Sequence, residues 1–287
     1  GENNVAIGTL ALDANTTGSF NTAVGRDSLG ANTTASYNTA LGHTALLSNT
    51  TGAFNTANGF QALRNNTTGT SNTSVGESAL YANTTGGDNS ALGNGALGAN
   101  TTGSHNVAIG DRSLLSNTTA AYNTAVGDRS LRYNTTGAEN TALGQNALAA
   151  NTTGAENTAV GKGALDANTT ANNNTAVGRN ALTTNTTGPY NTAVGDDALG
   201  LHTTGANNVC IGKDAGKWGP NSITTGSDNT LIGNYIYATN TNSQNANGMG
   251  YNVAASGGYT TLGFATNDIR AAHGNVTWAT VSDERYK

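Results

Sequence analysis

The sequence has 287 residues, of which 39 are glycine, 10% are charged and 6% are aromatic, a composition that argues against a conventional thick hydrophobic core. The formal charge of −5 comes from scattered residues without a basic stripe, so nucleic acid binding is not expected. No apolar run approaches the length of roughly 18 residues that a membrane helix needs, so no membrane insertion is expected. The single cysteine, Cys210, excludes a disulfide framework within the chain.

One motif, exemplified by Asn21-Thr22-Ala23-Val24-Gly25, recurs with a 17-residue period from the N-terminus to Gly212. An asparagine lies four residues before each glycine, from Asn4 to Asn208. A fixed short period is typical of stacked, equivalent units and predicts a β-solenoid. The recurring glycines are Gly8, Gly25, Gly42, Gly59, Gly76, Gly93, Gly110, Gly127, Gly144, Gly161, Gly178, Gly195 and Gly212.

The three residues before each glycine predict a short strand with two different faces. The residue just before the glycine is aliphatic in twelve of thirteen units, and the exception is Asn58. Alanine usually lies two residues before the glycine, and Thr, Ser or Val lies three before it. The glycine is expected to end the strand, through a positive φ or because another backbone passes too close for a Cβ.

The rest of each unit carries a leucine four residues after the glycine, from Leu12 to Leu199, followed by Asn15-Thr16-Thr17 and its ten copies. The Asn-Thr-Thr segment is expected to form a corner, with the asparagine in the left-handed region and threonine bonded to nearby backbone. The Ala-Leu segment fits either a second short strand or one helical turn. One unit is too short for a strand, a full helix and two turns, so we expect a flattened coil whose strands stack in parallel about 4.8 Å apart.

The period breaks after Gly212, because the next glycine of this kind is Gly233, four positions later than the period requires. The four inserted residues lie around Lys217-Trp218-Gly219-Pro220, and the motif then degrades. We therefore expect regular repeats over 1–212, degenerate repeats with an insertion and a cap over 213–264, and a neck over 265–287.

Apolar residues on both strand faces exceed what one narrow coil interior holds, which predicts that neighbouring chains associate on a symmetry axis. We expect Leu12 to Leu199 to fill the coils and the row from Ile7 to Ile211 to face this axis. Asn58 is the candidate axis residue, because a lone amide in the coil interior would cost roughly 1–3 kcal/mol, whereas copies that meet at the axis bond to one another. A solvated bulge at Phe60 is the alternative explanation for Asn58.

Variable positions beside the strand and the leucine predict the exposed binding residues. Aromatic rings with charged neighbours suit glycan stacking, and they equally suit sealing the gap between adjacent chains. No catalytic constellation, metal-ligand spacing or cofactor motif is evident, and Asp196-Asp197 or Asp111 with Asp128 are taken as exposed charges. The ligand-binding candidates are Phe20, Tyr37, Phe54, Phe60, Tyr81, Tyr122, Tyr133, Tyr190, Arg64 and Arg132.

The repeat resembles the heads of YadA-like trimeric autotransporter adhesins, on the evidence of Asn4-Val5-Ala6-Ile7-Gly8 and Asn106-Val107-Ala108-Ile109-Gly110. The likeness covers residues 1 to about 263 and implies a trimer of left-handed parallel β-rolls that bind surface ligands. The 17-residue period and the Asn-Thr-Thr-Gly segment depart from that family.

The C-terminal residues 278–287, Trp-Ala-Thr-Val-Ser-Asp-Glu-Arg-Tyr-Lys, resemble the start of the endosialidase-type intramolecular chaperone of phage tail fibres. Tyr286 stands where that family has leucine. The resemblance implies trimerisation of the shaft and autoproteolytic release of the chaperone between Ser282 and Asp283.

Together these features predict a trimeric, non-catalytic part of a phage tail fibre in the virion, which attaches to a host surface glycan or protein. The main alternative is a trimeric adhesin on a bacterial cell surface. A polysaccharide-degrading tailspike is a further alternative. Ice binding is a further alternative, because threonines recur in regular columns, although variable residues interrupt the flat face that these columns would form in every coil.

Overall fold

The computed structural model describes residues 1–217, 222–265, 267–274 and 279–280. Within these ranges the chain consists of strands and turns without a helix. Two compact units are present, the first made of residues 1–146 with 150–153 and the second of residues 147–149 with 154–287. The expected all-β solenoid built from coils of one repeat each is therefore confirmed in both units.

The first unit contains nine three-residue strands, one in each coil. Each strand pairs in parallel with the next at an offset of one repeat, so that Ala23 lies beside Ala40 and Val126 beside Leu143. The strands are β1 (Val5–Ile7), β2 (Thr22–Val24), β3 (Thr39–Leu41), β4 (Thr56–Asn58), β5 (Thr73–Val75), β6 (Ser90–Leu92), β7 (Val107–Ile109), β8 (Thr124–Val126) and β9 (Thr141–Leu143).

The second unit keeps the same parallel pairing through the break in the period. Ile211 lies beside Ile232, which lies beside Met249, which lies beside Leu262, so the degenerate motifs keep the strand register. Its parallel strands are β10 (Thr158–Val160), β11 (Thr175–Val177), β12 (Thr192–Val194), β13 (Val209–Ile211), β14 (Thr230–Ile232), β16 (Asn247–Tyr251) and β18 (Tyr259–Phe264). A separate parallel pair is β15 (Tyr237–Ala238) with β17 (Ala254–Ala255), and β19 (Asn267–Ala272) and β20 (Ala279–Thr280) add antiparallel strands.

The two faces of each strand differ as the alternation predicts. From β2 to β13 the central residue points into the coil and is buried, as at Ala57, Ser74 and Cys210, whereas all three residues of β1 are exposed. The residues on either side of it point outward and are half-buried or exposed. Only small residues occur at the central position of the regular coils, because the opposite wall lies close.

The glycine after each strand satisfies both expectations. Its φ lies between 127° and 140° in all thirteen regular units, a region that other residues rarely adopt. A Cβ on Gly76 would also lie 2.5 Å from the carbonyl oxygen of Gly93 in the next coil. Both the backbone conformation and the close approach of the next coil therefore require glycine at this position.

The buried leucine occupies an unexpected backbone conformation. From Leu12 to Leu199 its φ lies between 48° and 55°, so the Ala-Leu segment is neither a strand nor a helical turn but part of a tight left-handed bend. The side chain is nevertheless fully buried from Leu29 onward, which confirms that these leucines fill the coils. Full burial of a leucine contributes roughly 1.5–3 kcal/mol, enough to offset the conformational cost of about 1–2 kcal/mol.

The asparagine of each Asn-Thr-Thr segment is not in the left-handed region, which corrects the corner interpretation. It lies inside the coil and forms a ladder with its equivalents, as Asn83 Nδ2 donates to Asn66 Oδ1 at 2.8 Å. A second ladder joins the asparagines before the strand, where the Asn72 backbone N–H donates to Asn55 Oδ1 at 3.0 Å. Both ladders meet at one carbonyl, because Asn72 and Asn83 each donate to Gly86 O at 2.9 Å. Threonine does bond to backbone, as predicted.

Candidate functional site

The aromatic candidates before the strand form one exposed column. Phe20, Tyr37 and Phe54 stack face to face, with ring centroids 5.0 and 5.1 Å apart and planes within 7°. Each ring stands on a residue with φ between 59° and 62° and is exposed. Because the rings stack, both faces of the Tyr37 ring are covered by its neighbours. Phe54 lies at the end of the stack and is 62% exposed as a residue.

Tyr122 and Tyr190 occupy the same coil position and are also exposed. Tyr122 stacks on His105 at 4.9 Å, and Nδ1 of His105 lies 4.0 Å from Oδ2 of Asp88. Ser71, Asp88 and His105 thus separate Tyr122 from the three stacked rings. The predicted column exists, but it consists of separate clusters.

The remaining candidates lie near the leucine corner and form local pairs. Arg64 Nη1 donates to the Tyr81 hydroxyl at 2.9 Å, and its guanidinium lies 5.8 Å from that ring's centroid. The Arg132 guanidinium lies 4.8 Å from the Tyr133 ring centroid. Phe60 stacks on His43 at 5.5 Å. These pairs give rings of fixed orientation on the surface of the first unit.

The outer strand face carries an apolar row that the single chain leaves open. Ile7 is 60% exposed, Leu92 is 49% exposed, and Ile109 and Leu143 are exposed as well. Asn58 belongs to this row and is exposed, in agreement with its expected exclusion from the coil interior. The other apolar members of the row in the first unit are half-buried, namely Val24, Leu41, Val75 and Val126. Apolar rows that a single chain leaves partly exposed mark interaction sites.

Asp196 and Asp197, which were expected to be exposed charges, are half-buried and belong to an ion-pair network. Arg179 Nε lies 2.9 Å from Asp196 Oδ1, and Lys217 Nζ lies 2.9 Å from Asp197 Oδ1. The hydrogen bond from Arg179 lowers the pKa of Asp196 below its ordinary value, whereas a general acid needs a raised pKa.

Across the described residues, no group of three or more His, Cys, Asp or Glu side chains could hold a metal ion. No helix in the described ranges is long and apolar enough to cross a membrane.

His202 replaces asparagine in the interior ladder, which the sequence analysis did not single out. Its Nε2 lies 2.8 Å from Gly205 O, the counterpart of the bond that Asn185 makes to Gly188 O. The ring reproduces this bond but not the bond between coils, and Asn185 Oδ1 is buried without a partner. Burial lowers the pKa of His202, against the opposing effect of its hydrogen bonds to the backbone of Gly205 and Ile223. The substitution was visible as one histidine in a column of asparagines.

Ser282 and Asp283, the predicted cleavage residues, lie outside the described residues. Comparisons with protein-family models, with curated proteins and with solved structures each gave no significant match.

Proposed function

We propose that this chain is the structural and receptor-attachment part of a phage tail fibre and acts as a homotrimer of left-handed β-rolls without catalysis. The observation that carries the proposal is the apolar row on the outer strand face. A chain that repeats this row in coil after coil needs a partner with an equally regular surface, and a second copy of itself has one.

Burial within the single chain supports association of chains through this row. The leucine row already fills the coil interior, so Leu92, Ile109 and their equivalents are not needed there. Three strand faces around a common axis would remove this row from water at roughly 25 cal/mol per Å². Association is therefore expected to be part of folding.

Attachment is assigned to the exposed aromatic cluster at Phe20, Tyr37 and Phe54 and to the half-buried pair of Arg64 with Tyr81. Aromatic faces with polar or charged neighbours stack on sugar rings and bond to their hydroxyls. The phage context comes from the resemblance of residues 278–287 to the tail-fibre chaperone.

The test measures mass by light scattering and saccharide binding on a glycan array. We expect a trimer at micromolar concentration, a smaller species for the Leu92→Asp, Ile109→Asp double variant, and an unchanged trimer for Thr85→Asp with Thr102→Asp. The control threonines are exposed in coils of the same region. A folded, soluble wild-type monomer would contradict the proposal.

A second candidate, ice binding, is favoured by one observation. One threonine at the same coil position is exposed in each regular coil, from Thr17 to Thr153 in the first unit and from Thr170 to Thr204 in the second. The adjacent threonine column is mostly half-buried, and its hydroxyls are bonded to backbone carbonyls, as Thr84 Oγ1 is to Thr101 O at 3.0 Å. A single column offers a narrow face, so we expect no thermal hysteresis; a clear hysteresis would favour ice binding over attachment. Cleavage of a bound polysaccharide would favour the tailspike, and display on a bacterial surface would favour the adhesin.

A further inference from the structure

A surface slot of about 350 Å³ opens in the first unit where one coil lacks two side chains. Gly95 and Gly98 belong to this coil and lie two and five residues after its register glycine. Among the thirteen regular units, this is the only one with glycine at both positions. The slot is lined by Gln61, Ser78, Tyr81, Gly95, Gly98, Ala99, Leu115 and Ser116.

The fold itself does not require either glycine. Gly95 has a φ of 62°, yet Ser78 and Arg112 adopt similar values of 55° and 52° at this position in the adjacent coils. Gly98 is not in the left-handed region, and Tyr81 and Leu115 occupy its position in the adjacent coils. The missing side chains therefore create space without serving the backbone.

The walls of the slot are one ring and one aliphatic side chain. Tyr81 lies one coil before the glycines and Leu115 one coil after them, and the Leu115 side chain leans over the glycines, with Cδ1 3.3 Å from where a Cβ of Gly98 would lie. A ring stacked on Tyr81 at the 5.0–5.1 Å spacing of the stacked rings elsewhere in this chain would take the level of the missing side chains, in contact with Leu115. Arg64 on the preceding coil donates to the Tyr81 hydroxyl, and the Tyr81 side chain lines the slot.

The lining also restricts the chemistry of the ligand. Its polar members besides the Tyr81 hydroxyl are Gln61, Ser78 and Ser116, and none of the described lining residues is charged. Neutral hydroxyl and amide groups beside an aromatic face match a neutral pyranose, which has one apolar face and a rim of hydroxyls. We propose that this slot is the site where one neutral pyranose ring of the receptor glycan stacks on Tyr81. This inference rests on the proposed glycan attachment.

The slot and the proposed trimer interface use different residues. None of the lining residues belongs to a strand, whereas the association surface is the outer strand face. Each chain of a trimer would therefore carry one slot, and three equivalent sites would increase avidity for a repeating polysaccharide.

The test introduces a side chain into the slot and compares saccharide binding with that of a variant that has the same substitution at an equivalent position in another coil. Gly98→Leu places in the slot a side chain that the same position carries at Leu115. Gly30→Leu is the control, because a Cβ at Gly30 or at Gly98 would lie 3.3 Å from a leucine Cδ1 of the next coil. Gly30 follows a coil with Asp13 at this position, so it has no aromatic wall. Tyr81→Ala removes the proposed stacking face.

The probes are methyl glycosides of glucose, galactose, mannose and N-acetylglucosamine, measured by saturation-transfer NMR, together with a glycan array for longer saccharides. We expect at least one neutral pyranoside to bind, with Gly98→Leu and Tyr81→Ala weakening it about tenfold or more and Gly30→Leu leaving it unchanged. Undiminished binding in Gly98→Leu and Tyr81→Ala would overturn the slot while glycan attachment stands. Binding of acidic saccharides alone would overturn the ligand class. No saccharide binding by the wild-type chain would overturn glycan attachment and the slot together.

Discussion

At the scale of single residues, the coil interior is half polar, and its asparagines are as structural as its leucines. Most regular coils bury two asparagines, which are tolerated inside a coil only because their amide groups are hydrogen-bonded. The ladders meet this condition around Asn72 and Asn83, because each Nδ2 and Oδ1 finds a partner in the same or the adjacent coil. Identical side chains repeated at one coil spacing are what make these bonds possible.

The first prediction concerns Asn83, whose loss breaks one rung of its ladder. Asn83→Ala leaves Asn66 Oδ1 without its donor and Asn100 Nδ2 without one acceptor, since both bonds are 2.8 Å long in the folded chain. We expect a destabilisation of about 2–4 kcal/mol, measured by denaturant unfolding. Thr85→Ala, at an exposed position two residues later, is the control and should change stability by less than about 0.5 kcal/mol. Equal effects of the two variants would argue against a structural role for the ladder.

The second prediction concerns the pH dependence that His202 introduces. The pKa of His202 is lowered by burial in the folded chain, so the unfolded state binds more protons once the pH falls below about 6.5. The contribution of the neutral ring is complete above that pH and is lost as the pH decreases further. We expect His202→Asn to be more stable than wild type, since asparagine supplies the donor that Asn185 Oδ1 lacks.

The comparison is made by thermal unfolding between pH 7.5 and pH 5. The gap between wild type and His202→Asn should widen toward pH 5, while the other histidines contribute equally to both proteins. A constant gap would show that His202 titrates alike in the folded and unfolded chain.

At the scale of the coil, one three-residue strand and a series of left-handed bends close each repeat of the chain into one turn of the solenoid. The register glycine sets this closure, because its φ and its contact with the next coil both exclude a Cβ. The glycine five residues later, where it occurs, has neither constraint. Two glycines in one coil thus differ sharply in what they tolerate.

The third prediction uses this difference. Gly76→Ala places a Cβ 2.5 Å from Gly93 O at a φ of 128°, and we expect it to cost at least about 3 kcal/mol. Gly30→Ala, whose Cβ would meet only side-chain and backbone atoms at 3.3 Å or more, should cost less than about 1 kcal/mol. Ala149 already occupies the position of Gly30 in another coil. Hydrogen exchange of the flanking coils would report both effects, and similar protection in the two variants would contradict the argument.

Sequence periodicity predicted the strand, its two faces, the closing glycine and the buried leucine, because each follows from burial or from a conformation that favours glycine. It misplaced the asparagine of Asn-Thr-Thr, since turn preference is a local property and the ladder is formed between coils. The left-handed leucines were also missed, because intrinsic preference argues against them and only packing explains them. The slot at Gly95 and Gly98 was also missed, because its volume depends on where the side chains of the adjacent coils lie, which the sequence of one coil does not specify.

At the scale of the whole molecule, the regular repeat would leave the relative position of the chains in the proposed trimer poorly determined. Shifting one chain along another by a coil would pair nearly the same residues, as an unvaried repeat allows. Asn58 interrupts the outer row at one level, and Leu92 and Ile109 follow in later coils. A polar layer in a symmetric apolar interface fixes register in coiled coils, and Asn58 is suited to the same role here.

The final prediction places a charge at this layer. If three copies of Asn58 face the threefold axis, Asn58→Asp brings three carboxylates close together. Their mutual repulsion destabilises the trimer when all three are ionised. The trimer of Asn58→Asp should therefore be weakened about tenfold or more at pH 7.5 and recover near pH 4, where the carboxylates are protonated. Thr51→Asp and Thr68→Asp, at exposed positions in the same region, are the controls and should remain trimeric at both pH values. Sedimentation measures the association, and a trimer of Asn58→Asp that is as stable as the controls at pH 7.5 would place Asn58 away from the axis.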